Sequence, residues 1–86
     1  MLNTNDLKKR FPEGTCVRFT THHTWHYFDL YNLEAISQGL KNRRLMSDFM
    51  IEVKFTQMSK AIFKMKYNQE MSYDVVHAGE DEIEPI

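Results

Sequence analysis

The sequence predicts an α+β fold: a three- to four-stranded, mainly antiparallel sheet with one or two helices packed on one face. Three observations predict it. Residues 15–21, TCVRFTT, form a β-branched and aromatic run with Val17 and Phe19 in alternation. The second half of the chain holds three successive segments of period two. Two further stretches, 3–11 and 32–41, carry helical signals instead.

Taken in order, residues 3–11 open with Asn3, Thr4 and Asn5 as candidate caps. They close on Lys8, Lys9 and Arg10, cations suited to a helix C-terminus. Pro12 stops that helix, and Glu13-Gly14 reads as a turn. The strand at 15–21 follows. Residues 22–31, HHTWHYFDLY, fit either a second strand of a hairpin or an aromatic loop. In 32–41, Asn32 is a candidate N-cap, and Leu33, Ile36 and Leu40 fall at i, i+3 and i+7, which predicts a helix.

Beyond the basic connection 41–44, Phe49, Ile51, Val53 and Phe55 alternate with Met50, Glu52, Lys54 and Thr56. Ala61, Phe63, Met65 and Tyr67 alternate with Lys60, Ile62, Lys64 and Lys66, and Met71, Tyr73, Val75 and His77 with Ser72, Asp74 and Val76. Three such segments describe an antiparallel meander with one apolar and one charged face. Phe49, Ile51, Val53, Phe55, Phe63, Met65, Tyr73 and Val75 are therefore the expected core.

The 86 residues are 42% hydrophobic and 13% aromatic, enough apolar material for one small domain, set at 1–79. Cys16 is the one cysteine, so no internal disulfide forms, and a small domain without such staples reads as cytoplasmic. No run reaches the ~20 apolar residues of a membrane span. The body is mildly basic, with 11 Lys/Arg against 8 Asp/Glu. Residues 80–86 add Glu80, Asp81, Glu82 and Glu84, which reads as a flexible acidic tail.

Candidate chemistry is sparse. His22, His23 and His26 cluster, yet on a strand His22 and His26 stand about 13 Å apart, too far to share a metal ion. No metal site is expected. Cys16 opens no nucleophile motif and reads as a small hydrophobe. Gly14, Gly39 and Gly79 lie too far apart for a phosphate-binding loop. No catalytic residue and no cofactor is assigned.

Two surfaces remain. The aromatic segment presents Trp25, Tyr27 and Tyr31, and aromatics exposed together mark partner surfaces. Its plain alternative is an aromatic edge of the core. Lys54, Lys60, Lys64 and Lys66 share the polar parity of two predicted strands, with Lys41, Arg43 and Arg44 in the adjoining connection. That lysine-rich sheet face suits nucleic acid, but Glu52 and Asp74 lie on it too, and a ladder of mixed charge is its plain reading. The expectation is a small non-enzymatic accessory or regulatory protein, host- or virus-encoded, that modulates a larger enzyme. Its ligand is a protein, a second copy of the chain included, and nucleic acid is the runner-up.

Overall fold

The computed structural model describes residues 4–22, 24–25, 28–42 and 49–86, leaving aside the side chains of Thr4, Thr24, Trp25, Asn42 and Phe49. Helix α1 spans Thr4–Arg10, with Asp6 in its first turn and Lys8, Lys9 and Arg10 in its last, the charge order that suits the helix dipole. Leu7 and Phe11, four residues apart, turn one face inward and are buried. Pro12 ends the helix, and a turn closed by Thr15 N–H on Pro12 O leads into strand β1, Cys16–Phe19.

A two-stranded hairpin follows, β2 (Thr24–Trp25) and β3 (Phe28–Asp29), then β4 (Glu34–Asn42), β5 (Phe49–Phe55), helix α2 (Gln57–Tyr67), β6 (Val75–Ala78) and β7 (Ile83–Pro85). The larger sheet has five strands in the order β6-β5-β4-β1-β7, and every pairing is antiparallel. The α+β class holds, with one strand more than the sequence predicts.

Four expectations are corrected. Residues 34–42 are strand, not helix. Leu33, Ala35 and Ser37 point inward in period two and are buried. A β-bulge between Ser37 and Gly39 then inserts one extra residue, which resets the parity so that Leu40 pairs with Ile51. Leu33, Ile36 and Leu40 therefore mimic helical spacing. Gly39 takes φ 97° in the bulge, a backbone region costly for other residues.

The predicted strand at 61–67 is helix α2, as its caps explain below. In β6, pairing of Val53 with Val76 and of Ile51 with Ala78 turns Val76 and Ala78 inward. Tyr73 and Val75, expected in the core, are exposed, and so is Met65 on α2; Ile51, Val53, Phe55 and Phe63 are buried as expected. The burial of Phe49 lies outside the described residues.

The acidic end is not a free tail. β7 pairs with β1, Thr20 N–H donates to Glu82 O, and Ile83 is only 1% exposed. Burying that isoleucine is worth about 1.5–3 kcal/mol, and the main-chain bonds of β7 to Cys16 and Thr20 add to it in offsetting the entropy of ordering the segment.

The connection from β6 to β7 bends the sheet. These strands are its two edges, and four strand spacings in a flat sheet cover roughly 19 Å. Residues 79–82 instead form a tight turn, with Glu82 N–H on Gly79 O at 3.0 Å. The sheet must curl to bring the end of β6 to the start of β7, as in a partly open barrel. Val17, Phe19, Ala35, Ile51, Val53, Phe55, Val76, Ala78 and Ile83 point into the curl, joined by Leu7, Phe11, Leu30 and Leu33. The outer face carries Arg18, Glu52, Lys54 and His77, with an Arg18–Glu84 ion pair at 2.8 Å.

Candidate binding surface

Helix α2 begins where Thr56, in extended conformation, accepts a hydrogen bond from Ser59 N–H on its side chain. It ends at Asn68, left-handed at φ 55°, whose N–H closes on Lys64 O. Met, Lys, Ala and Gln between them are good helix formers. Ser59, Phe63 and Tyr67 recur every four residues and so share one face. Ser59 and Phe63 are buried on it.

That face clamps the small hairpin. Phe28 meets the rings of Phe63 and Tyr67 edge-on, at 4.9 and 4.7 Å between centroids. Tyr67 Oη accepts from Asp29 N–H at 2.8 Å. Asp29 in turn holds His22 through Oδ2 at 2.6 Å and accepts from Tyr31 N–H through Oδ1 at 2.9 Å. The His22 ring stacks on Tyr31 at 4.5 Å. The His22 contact, with help from the Tyr31 N–H, holds the Asp29 carboxyl below its ordinary range.

A second apolar face of α2 points to solvent. Met58, Ile62 and Met65 stand at i, i+4 and i+7 and are 68%, 46% and 86% exposed. At 3.6 residues per turn, their stripe lies about 140° round the helix from Phe63. Every charge within α2 is a lysine: Lys60, Lys64 and Lys66. Lys60 reaches Asp74 at 2.6 Å and depresses its carboxyl pKa, and Lys64 reaches Glu70 at 2.6 Å. Lys66 lies over the Tyr67 ring.

Two hollows flank Phe63. The smaller, about 150 Å³, runs between Tyr31, Leu33, Ile62 and Lys66, and so joins Tyr31 to Ile62 of the α2 stripe. The larger, about 270 Å³, lies between Phe28, Leu30, Phe55, Met71 and Tyr73. Pockets for drug-sized molecules run roughly 300–1,000 Å³, so this hollow suits a single large side chain better.

Of the residues expected to bind a partner, Tyr31 is half exposed at this surface. Trp25 sits in β2 with its side chain outside the described residues, and Tyr27 lies outside them altogether. The lysine-rich sheet face does not form, because Lys60, Lys64 and Lys66 are on α2 while Lys54 is on β5 and Lys41 on β4. Arg43 and Arg44 lie outside the described residues, as do His23 and His26. Among the described residues, no three His, Cys, Asp or Glu gather to hold a metal ion, and no helix is long and apolar enough to cross a membrane.

Sequence reasoning missed Met58, Ile62 and Met65. Their signal was present: with Ala61 they occupy i, i+3, i+4 and i+7, a helical pattern. A competing period of two over the same residues hid it. No protein-family model, curated protein or solved structure matches the chain.

Proposed function

We propose that this chain is a small, non-enzymatic accessory protein that binds another protein through the outward face of α2 and Tyr31. One observation carries the reading: α2 is apolar on two faces, and one of them, Met58, Ile62 and Met65, stands exposed. Exposed hydrophobic residues scattered singly are ordinary, whereas a contiguous stripe marks an interaction surface. Full burial of an exposed Met or Ile is worth about 1.5–3 kcal/mol, so Met65, 86% exposed, has the most to gain from a partner and Ile62, 46% exposed, the least. Methionine fits its flexible side chain to irregular partner surfaces, which suits a docking site.

The lysines of α2 define the partner's rim. An apolar centre with acidic residues around it complements Lys64 and Lys66, and charges at a rim steer association more than they tighten it. The hollow beside Phe63 offers an anchor position for one large apolar side chain of the partner. A larger enzyme that this chain modulates is the kind of partner meant.

Affinity capture from native lysate tests the reading by comparison. The wild-type chain, a variant carrying Met58→Glu, Ile62→Glu and Met65→Glu, and a Lys54→Glu control are used as baits, with folding checked by circular dichroism. A protein retained by the wild type and by Lys54→Glu, but lost at least tenfold with the stripe variant, is the expected result. Equal capture by all three baits rejects the surface.

A further inference from the structure

We infer that Met58 and Met65 make the outward face of α2 an oxidation-sensitive site: a peroxide converts them to sulfoxides, and the face loses its apolar character while the fold stays intact. Two of the three residues in the stripe are thioethers, 68% and 86% exposed, and Met65 is the most exposed large hydrophobic side chain among the described residues. Seven positions apart, they stand about 10.5 Å from each other along the helix axis, with Ile62 between them. Polarity gained at both ends leaves Ile62 as the stripe's only apolar member. That this change governs partner binding rests on the reading of α2 given above.

With hydrogen peroxide as the oxidant, the step balances. The thioether sulfur attacks one peroxide oxygen, so that an S–O bond forms and the O–O bond breaks. The departing hydroxide takes the proton of the transferred oxygen and leaves as water. Sulfur loses two electrons and the peroxide gains them. The product is a polar, chiral side chain in place of a flexible apolar one, and methionine sulfoxide reductases reverse it with a thiol as reductant. A partner that buries the stripe must strip water from each sulfoxide oxygen, which costs affinity wherever no hydrogen bond replaces that water.

The rest of the molecule confines the effect to this face. Among the described residues the buried core is built from Leu, Phe, Val, Ala and Ile, and no methionine belongs to it. Met50 and Met71 are half-buried, and Met71 packs against that core. Susceptibility of a thioether follows its exposure, so Met58 and Met65 react first. The groups that hold α2 in place are the hydroxyls of Thr56 and Ser59 and the buried Phe63 ring, and peroxide leaves all three alone. Oxidation at 58 and 65 therefore alters the surface and not the packing beneath it.

The test treats the folded wild-type chain with hydrogen peroxide and maps each methionine by mass spectrometry. Met58 and Met65 should each gain one oxygen roughly fivefold or more faster than Met50 and Met71. The thermal midpoint should fall by less than about 2 °C. A phenyl resin serves as the apolar probe, so this arm needs no partner. The doubly oxidised chain should elute earlier from it, and methionine sulfoxide reductases should restore its retention. A variant carrying Met58→Leu and Met65→Leu keeps Cys16 and every other methionine, and its retention should not change after the same treatment. Unchanged retention of the oxidised wild type, or an equal change in the leucine variant, overturns the inference. So does a midpoint that falls further as Met58 and Met65 react. In the capture experiment above, a stripe-dependent protein should be lost at least tenfold from the oxidised bait, and its equal capture before and after oxidation also overturns the inference. A bait that holds no such protein before oxidation rejects the docking reading instead, and the phenyl resin then decides the oxidation-sensitive site alone.

Discussion

Ser59 on α2 and Glu34 at the start of β4 are joined twice: Ser59 Oγ accepts from Glu34 N–H at 2.9 Å and donates to Glu34 O at 2.6 Å. Thr56 Oγ1 donates to the same hydroxyl at 3.1 Å, so one buried side chain uses its donor and both acceptor sites. This is how the helix that carries the exposed stripe is fixed to the sheet. Ser59→Ala keeps the N-cap and strands Glu34 N–H, a loss of about 1–3 kcal/mol. Urea unfolding should show a lower midpoint with an unchanged slope.

Removal of residues 80–86 should destabilise the fold. It deletes buried Ile83 and the bonds to Cys16 and Thr20, a loss of 2 kcal/mol or more that lowers the thermal midpoint by at least about 8 °C. Ile83→Ala alone should reproduce most of the effect, at about 2–5 kcal/mol. Calorimetry of both variants checks it.

The bulge at Gly39 should resist substitution for conformational reasons alone. A Cβ there meets nothing within 4 Å, but φ is 97°. Gly39→Ala therefore costs strain without a clash, about 1–3 kcal/mol, visible as a lowered urea midpoint.

Asp29 predicts a pH effect. His22 and the Tyr31 N–H lower its carboxyl pKa in the folded state. A depressed acid stabilises the fold above its unfolded pKa, about 3.9, and the contribution is lost as pH falls through the lower folded value. His22→Ala should raise the Asp29 pKa and move this loss to higher pH. Carboxyl carbon NMR titration measures it directly. The pair is on the surface, so the global effect on stability is small.

Strands with one clean period were legible in the sequence. Val17 and Phe19 alternate in β1, which is a strand as read, and Ile51, Val53 and Phe55 alternate in β5 and are buried as expected. β4 was not legible, because its inward positions after Leu33 are the small Ala35 and Ser37, which carry little hydrophobic signal, and because the bulge shifts its phase. α2 was misread for the opposite reason: Phe63, Met65 and Tyr67 fit period two, although in the helix only Phe63 and Tyr67 share a face and Met65 is exposed. Only the bond of Thr56 to Ser59 and the tertiary anchors of Ser59 and Phe63 decide between them. The exposed stripe was lost with the helix. Tyr31 was legible as an exposed aromatic, but its neighbour Ile62 is joined to it only by the fold.

The central claim is that a protein partner docks on the outward face of α2. Methyl NMR of the chain, titrated with a partner captured as above, tests it most directly. Shifts should concentrate on the methyl groups of Met58, Ile62 and Met65, with accompanying changes at Tyr31 and Lys66. Those groups unmoved, while Met50 and Val75 on the outer face of the sheet shift instead, would contradict it.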